Sequence, residues 1–364
     1  MEPIKICIVG GEDVHKRIKL SKYLRDSHFD VTILGTSEKT FPDFINYVPY
    51  NLVRSFSFSK DYKTIEFLKR FFKDNEFDVI QTFDTKPAFL VPLALMRTKT
   101  PIIRTITGLG TVFMSNTPKF LILRRVYFLI HRFIRKRVSM TVFQNKDDKA
   151  LFLKHKLITE TNSTLIQSSG IELKDISIRA EREGNPFTFI CVARLVYEKG
   201  IINLIEAARI CHDKGYDFKY QIVGPLEENS KRLNEDILKQ YDDIVDRLGT
   251  RNDVLELLTK ADAFILPTFR EGFSRVLLEA AAVGLPSITT NVPGVGEIVR
   301  DGKEGLIAEV RNSESLANAM IKLGTNKPLA DEFAQNALKR VNLFSLETVA
   351  KQYISIFTQL INPN

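Results

Sequence analysis

Residues 261–306 read ADAFILPTFREGFSRVLLEAAAVGLPSITTNVPGVGEIVRDGKEGL. Two short apolar runs, Ala263–Pro267 and Ser287–Thr290, flank a stretch, Ser274–Val283, whose apolar residues recur at helical spacing. The runs have strand length and the stretch between them has helix length. Strand, helix and strand in that order imply a parallel sheet covered by helices. This stretch therefore sets the fold class as α/β.

The same alternation extends in both directions. Strands are expected at Phe187–Val192 and Tyr220–Val223, with helices near Ile201–Lys214, Ser230–Arg247, Ser313–Leu323, Leu329–Val341 and Leu346–Leu360. Upstream, strands at Ile4–Val9, Asp30–Leu34, Val79–Thr82, Ile102–Thr107 and Met140–Phe143 alternate with helices at His15–Arg25, Thr64–Asp74, Lys86–Arg97 and Pro118–Val138. Between the two series, a polar stretch runs from Gln167-Ser168-Ser169-Gly170 to Asn185-Pro186. We therefore expect two doubly wound, Rossmann-like domains. They span residues 1–168 and 186–345, with a linker at 169–185. The helix 346–364 is expected to pack back on the first domain. Ligands bind such sheets outside the carboxyl ends of the strands. Two sheets facing each other across a cleft would put the site there.

Composition agrees with this picture. A chain of 364 residues, 44% hydrophobic and 26% charged, excludes wholesale disorder and collagen-like or disulfide-scaffold classes. Three cysteines suggest a reducing compartment, and Cys7 and Cys191 sit inside apolar runs. The chain enters a strand at Ile4, so no signal peptide is expected. No run of 18 apolar residues suggests a membrane span. The net charge of +8 is unevenly placed. Residues 85–146 carry 12 basic and no acidic side chains, while 1–84 balance and 147–364 are net −4. Such a segment attracts phosphate groups, anionic lipid or nucleic acid, or is simply a solvated basic face.

Chemistry concentrates at two places in the second half. Glu271-Gly272-Phe273-Ser274 opens the helix that follows the first strand of the quoted stretch. Ser274 is an N-cap candidate, and the unpaired N–H groups of a helix start suit an anion. Glu279 lies on the second turn, roughly 10 Å from Glu271 at about 1.5 Å per residue. Two carboxylates bracketing an anion site suit a ligand with hydroxyls at both ends and phosphates between. Glu279 lies in a mostly apolar helix and needs a partner, because burying an unpaired charge is costly. The other place is Arg194 to Gly200, at the carboxyl end of the strand Phe187–Val192. Arg194 can grip a phosphate bidentately and Lys199 can add a point charge. The bland alternative is a surface ion pair between Arg194 and Glu198.

These residues resemble the E-x7-E signature and the Arg…Lys-Gly pair of the family 4 retaining glycosyltransferases. Pro293-Gly294-Val295-Gly296-Glu297 resembles the stretch that follows that signature. His15-Lys16-Arg17, Asp84-Thr85-Lys86-Pro87 and Thr105–Gly110 resemble the branch that extends undecaprenyl-diphosphate-linked saccharides for O-antigen, capsule and protein glycans. The resemblance implies the GT-B fold. It implies that Glu271 contacts the donor sugar and that Gly272, Phe273 and Ser274 offer backbone N–H groups. Glu279 would hold the ribose, Arg194 and Lys199 the diphosphate, and the backbone near Arg251 the base. It also implies retention of configuration, with a donor phosphate oxygen taking the acceptor proton. Glu271, Arg194, Lys199 and His15 are the implied catalytic set. No metal and no cofactor are expected. The donor would be a nucleotide sugar, with UDP the expected nucleotide. The Thr105–Gly110 loop lacks the His that this family often carries there, leaving His15 or the donor phosphate.

Gly10, Gly11, His15 and Lys86 are the expected acceptor contacts, although Gly10-Gly11 reads equally as a simple turn. In Pro118–Val138, Arg124, Arg125, His131, Arg132, Arg135 and Lys136 fall on one helical stripe beside an apolar face. That pattern suits a helix at an anionic membrane surface, or a core helix with an exposed rim. No nucleic-acid-binding motif is present. The expected place is the cytoplasmic side of the plasma membrane. The alternatives are a UDP-sugar 2-epimerase-like enzyme, a glycan phosphorylase, or a membrane-associated binding protein with a degenerate site.

Overall fold

The computed structural model describes residues 2–53, 57–109, 113, 117–180, 186–227 and 232–362. The first unit contains β1 (Ile4–Val9), α1 (Ile18–Asp26), β2 (Phe29–Gly35), β3 (Ile45–Pro49), α2 (Phe58–Asp74), β4 (Val79–Thr82), α3 (Pro87–Ala94), β5 (Ile102–Ile106), α4 (Pro118–Ile134), β6 (Met140–Phe143), α5 (Lys146–Lys154) and β7 (Ser163–Leu165). Its strands run parallel in the order β3-β2-β1-β4-β5-β6-β7. The second unit, Ile171–Ser345, contains β8 (Phe187–Val192), α6 (Ile201–Asp213), β9 (Phe218–Val223), α7 (Glu235–Lys239), β10 (Val245–Gly249), α8 (Val254–Thr259), β11 (Ala263–Leu266), α9 (Arg275–Ala282), β12 (Ser287–Thr290), β13 (Gly305–Ala308), α10 (Ser313–Gly324) and α11 (Lys327–Val341). Its sheet is also parallel, in the order β10-β9-β8-β11-β12-β13.

Strand order reverses between β1 and β4 in one sheet and between β8 and β11 in the other. There the chain leaves neighbouring strands in opposite directions, which opens a crevice at their carboxyl ends. The central strands β4, β5, β11 and β12 are buried along their whole length. That is why they read as plain apolar runs. Helix starts are set by side chains: Asn145, Asn234, Asn312 and Asn326 each accept a hydrogen bond from the N–H three residues on. All three cysteines are free and buried, and burial pushes the Cys191 thiol up to about 12.

The last helix, α12 (Leu346–Ile361), belongs to the first unit. Val349, Ala350, Tyr353 and Phe357 pack with Ile6, Ile8 and Phe29. Burying Tyr353 and Phe357 contributes about 1.5–3 kcal/mol each. The Tyr353 hydroxyl also bonds Thr105 Oγ1 at 2.9 Å, and Gln81 Nε2 donates to the same oxygen at 2.9 Å. Thr105 is thus a core residue, and Gly110 lies outside the described residues.

Several expectations change. The helix expected at Ser230–Arg247 is instead the short α7 and the edge strand β10, with Ser230 outside the described residues. Asn234 starts α7 late, and Arg247 is held by Asp242 and Glu235 at the sheet edge. The segment from His15 begins in a 3₁₀ turn, Glu12–Arg17, before α1. Pro118–Val138 ends its helix at Ile134. Within 169–185, Ile171, Leu173 and Ile176 pack into the second unit. Arg179 donates to the Gly284 carbonyl there, while 181–185 lie outside the described residues. Strands β3, β7, β10 and β13 and helices α5 and α8 were not anticipated.

Candidate functional site

In the second unit, the turn after β8 meets the loop after β11. A 3₁₀ turn, Tyr197–Lys199, ends at Gly200 in the left-handed region, with φ 70°. A Cβ on Gly200 would stand 2.0 Å from the Pro267 carbonyl oxygen, so only glycine lets the two loops close. Phe269 N–H donates to the Glu198 carbonyl at 2.9 Å, and the Tyr197 and Phe269 rings meet edge-on at 5.3 Å. This lock brings Lys199 against Glu271, and the two form an ion pair. Their side chains are 22% and 12% exposed, so the pair is mostly shielded yet open on one side.

Gly294, with φ 80°, packs behind that loop. A Cβ there would lie 2.3 Å from the Gly272 carbonyl oxygen. Ser274 is the buried N-cap residue of α9, as expected, although its side chain makes no capping hydrogen bond. Glu279 finds its partner one turn back, with Arg275 Nε at 2.9 Å. Arg194 stands exposed at the end of β8, and its guanidinium lies 3.8 Å from Glu227. Arg251, past the end of β10, forms a surface pair with Asp253 at 2.6 Å, which raises its pKa and lowers that of the carboxylate.

The first unit carries a matching crevice. After β1, Gly11 N–H donates to Asp84 Oδ2 at 2.9 Å, and the Tyr50 hydroxyl donates to the Gly10 carbonyl at 2.9 Å. Asp84 follows β4 and holds φ at 70°, an uncommon backbone for a residue other than glycine. Such local strain collects at functional sites. His15 Nδ1 lies 3.0 Å from the Glu12 carbonyl and 3.3 Å from Ser37 Oγ. Lys86 pairs with Asp61 of α2, and both are nearly buried, at 11% and 9% exposure. Arg17 lies over the Phe83 ring at 4.0 Å. Among the described residues no group of three or more His, Cys, Asp and Glu is arranged to hold a metal ion.

Two family models divide the chain between them. Residues 174–340 match "Glycosyl transferases group 1" and residues 5–145 match "Glycosyl transferase 4-like". The chain belongs to this glycosyltransferase family. It is similar to the capsular polysaccharide biosynthesis glycosyltransferase CapM of Staphylococcus aureus, with 26% identity over 93% of this chain and 92% of the relative. It is also similar to an Escherichia coli enzyme named UDP-Gal:alpha-D-GlcNAc-diphosphoundecaprenol alpha-1,3-galactosyltransferase, with 24% identity over 86% and 85%. A solved glycosyltransferase from Rickettsia africae superimposes with a TM-score of 0.80 at 19% identity, covering 100% of both chains. The fold of the transferase is therefore GT-B.

Sequence reasoning had given Asp84, Asp61, Phe269 and Gly294 no role in these crevices. Asp84, in the Asp-Thr-Lys-Pro stretch, and Gly294, in the Pro-Gly-Val-Gly turn, gave local signals; Asp61 and Phe269 gave none. The basic stripe of the transferase also needs correction. His131 is not on its surface: it is fully buried. Its Nδ1 accepts from the buried Arg104 guanidinium at 2.6 Å. Burial and Arg104 push the His131 pKa well down, and burial lowers Arg104 to about 10. The stripe is wide enough that its His131 edge turns into the core. Arg132 and Arg135 each donate at 3.0 Å to the carbonyls of His155 and Lys156, just past α5, and Arg124 lies over the Phe113 ring. Arg125 and Lys136 are exposed. The outer face of α4 also shows Ile122, Leu129 and Phe133 at 61, 65 and 65% exposure. No described helix is long and apolar enough to cross a membrane.

Proposed function

We propose that this glycosyltransferase moves a hexose or N-acetylhexosamine from a UDP-sugar to a lipid-diphosphate-linked saccharide, in surface-polysaccharide or glycan assembly. The Lys199–Glu271 pair carries the reading. It puts a cation for a diphosphate and a carboxylate for sugar hydroxyls side by side at the strand-order reversal of the second sheet. Donor binding draws Lys199 toward the diphosphate and frees Glu271 for the sugar. Arg194 adds a second, solvent-accessible cation, and Glu279 holds the ribose. The relatives' names supply the acceptor class.

Transfer then proceeds with retention. The acceptor hydroxyl attacks the anomeric carbon on the face from which the diphosphate leaves. The new C–O bond forms as the sugar–phosphate bond breaks, and a donor phosphate oxygen takes the proton. Arg194 and Lys199 stabilise the charge on the departing UDP, so no metal is required. Gly10, Gly11, Asp84 and His15 contact the acceptor saccharide. The outer arc of α4, apolar with Arg125, Arg132 and Lys136 beside it, rests on the anionic cytoplasmic face of the membrane.

Incubation with a panel of UDP-sugars and a polyprenyl-diphosphate-linked sugar, with and without chelator, tests this. Expected are UDP release, product of added sugar mass, a retained anomeric configuration by NMR, and no chelator effect. No transfer with any donor, an inverted product, or loss on chelation overturns the corresponding part.

A further inference from the structure

A second feature of the first unit lies next to Lys86. Helices α2, α3 and α4 enclose an open groove of about 690 Å³, lined by Phe58, Tyr62, Phe89, Leu90, Leu93 and Ile130. That volume is in the range of small-molecule sites. The lining is apolar nearly throughout, yet Phe58 and Tyr62 stand exposed on its rim. Exposed aromatic residues beside an apolar trough are a mark of an unfilled binding surface.

The groove has a polar end. Asp61 is part of its lining and holds Lys86, the residue that caps α3. Lys63 adds an exposed cation there. Asp61 also accepts from the Ser57 N–H at 3.1 Å, so it keeps a partner if Lys86 turns away. Two residues before Lys86, Asp84 receives the Gly11 N–H. Bonded and neighbouring residues thus link the glycine turn at β1, through Asp84 and Lys86, to Asp61 at the groove. At its far flank, Ile130 lies beside the exposed apolar arc of α4, one helical turn from Val126 and Phe133.

We propose that the groove seats the first isoprenoid units of the acceptor's lipid, with Lys86 and Lys63 on its diphosphate and the saccharide at Gly11 and Asp84. This rests on the lipid-linked acceptor proposed above and adds where the lipid goes. The order of chemistry along these residues carries it: hydroxyl-binding groups, then cations, then apolar surface. A polyprenyl diphosphate saccharide has that order. The apolar arc of α4 continues the groove toward a bilayer from which the chain would be drawn.

Two measurements test it. A farnesyl diphosphate bearing a photoreactive group should label residues 58–65 and 89–93, and unlabelled polyprenyl phosphate should compete. Labelling elsewhere, or equal competition by anionic phospholipid vesicles without polyprenyl, overturns the proposal. Second, Tyr62→Ser and Leu93→Ser, checked for an unchanged melting temperature, should raise KM for the polyprenyl-linked acceptor at least tenfold. KM for the same saccharide diphosphate on a methyl group should change less than twofold. Equal changes for both acceptors, or none, overturn it. If the unmodified protein transfers sugar to neither acceptor, the acceptor reading fails, and the labelling still decides the groove.

Discussion

Each unit holds a lysine–carboxylate pair near the point where its strand order reverses. Lys199–Glu271 sits where strand order reverses between β8 and β11, and Lys86–Asp61 sits just past β4, beside the reversal in the other sheet. Their surroundings differ. Lys199 and Glu271 lie between glycine-rich turns that bring backbone close, with Arg194 exposed nearby. Lys86 and Asp61 are more deeply buried and border an apolar groove. On the proposals above, a similar ion pair serves a polar, phosphate-rich ligand in one unit and an amphiphile in the other, with the neighbours and not the pair setting the ligand class.

The comparison can be broken most sharply by removing one member of each pair. Lys199→Ala or Glu271→Gln should lower kcat/KM by about 10²–10³-fold, in the range of a lost oxyanion-type contact. The melting temperature should move little, because that pair is partly solvated. Steady-state UDP release together with a thermal melt reads both. Lys86→Met should weaken acceptor binding and, unlike Lys199→Ala, should also lower stability. It leaves the Asp61 charge nearly buried without its ammonium, and should destabilise the fold by about 3 kcal/mol. The double change Lys86→Met with Asp61→Leu should restore most of this in urea unfolding. If Lys199→Ala destabilises the fold as much as Lys86→Met does, the contrast is wrong.

Two smaller effects refine the comparison. The neutral form of His131 is favoured in the folded protein, because burial and Arg104 depress its pKa below the usual 6.5. The unfolded chain therefore binds the extra proton first. Stability should be full above about pH 6.5 and fall below it, by up to about 1.4 kcal/mol per pH unit. His131→Gln keeps the acceptor for Arg104 and should flatten that slope in melts between about pH 7.5 and 5, the range in which an ordinary histidine titrates. Last, Glu279→Ala should weaken UDP-sugar binding by about tenfold, near 1.4 kcal/mol. Arg275, its partner, is more than half exposed, so the fold should barely respond. Calorimetry of UDP binding checks this.

The strands that were legible in the sequence are the inner ones, and the missed β3, β7, β10 and β13 are the edges of the two sheets. An inner strand is shielded on all sides and reads as an apolar run. An edge strand is covered on fewer sides: β3 and β10 mix buried, exposed and intermediate positions, and β10 was absorbed into a charged helical period. The stripe on α4 shows a similar limit. Helical spacing placed His131 with the arginines, but the buried Arg104 of β5, distant in sequence, draws it inward.

By itself, then, the sequence determined the alternating α/β architecture, the two-part organisation, and the short contiguous motifs of the candidate sites: Glu271 to Ser274, Arg194 to Gly200, Gly10-Gly11. These are contiguous stretches whose chemistry is written in neighbouring residues. Only the tertiary structure decided which distant groups meet. It joined Lys199 to Glu271, Lys86 to Asp61 and the Asp84 carboxylate to the Gly11 amide, and it set Phe58, Tyr62, Leu93 and Ile130 around one groove. Pairing across a fold depends on loop closures and helix packing that no local pattern encodes, because each contact joins residues tens of positions apart.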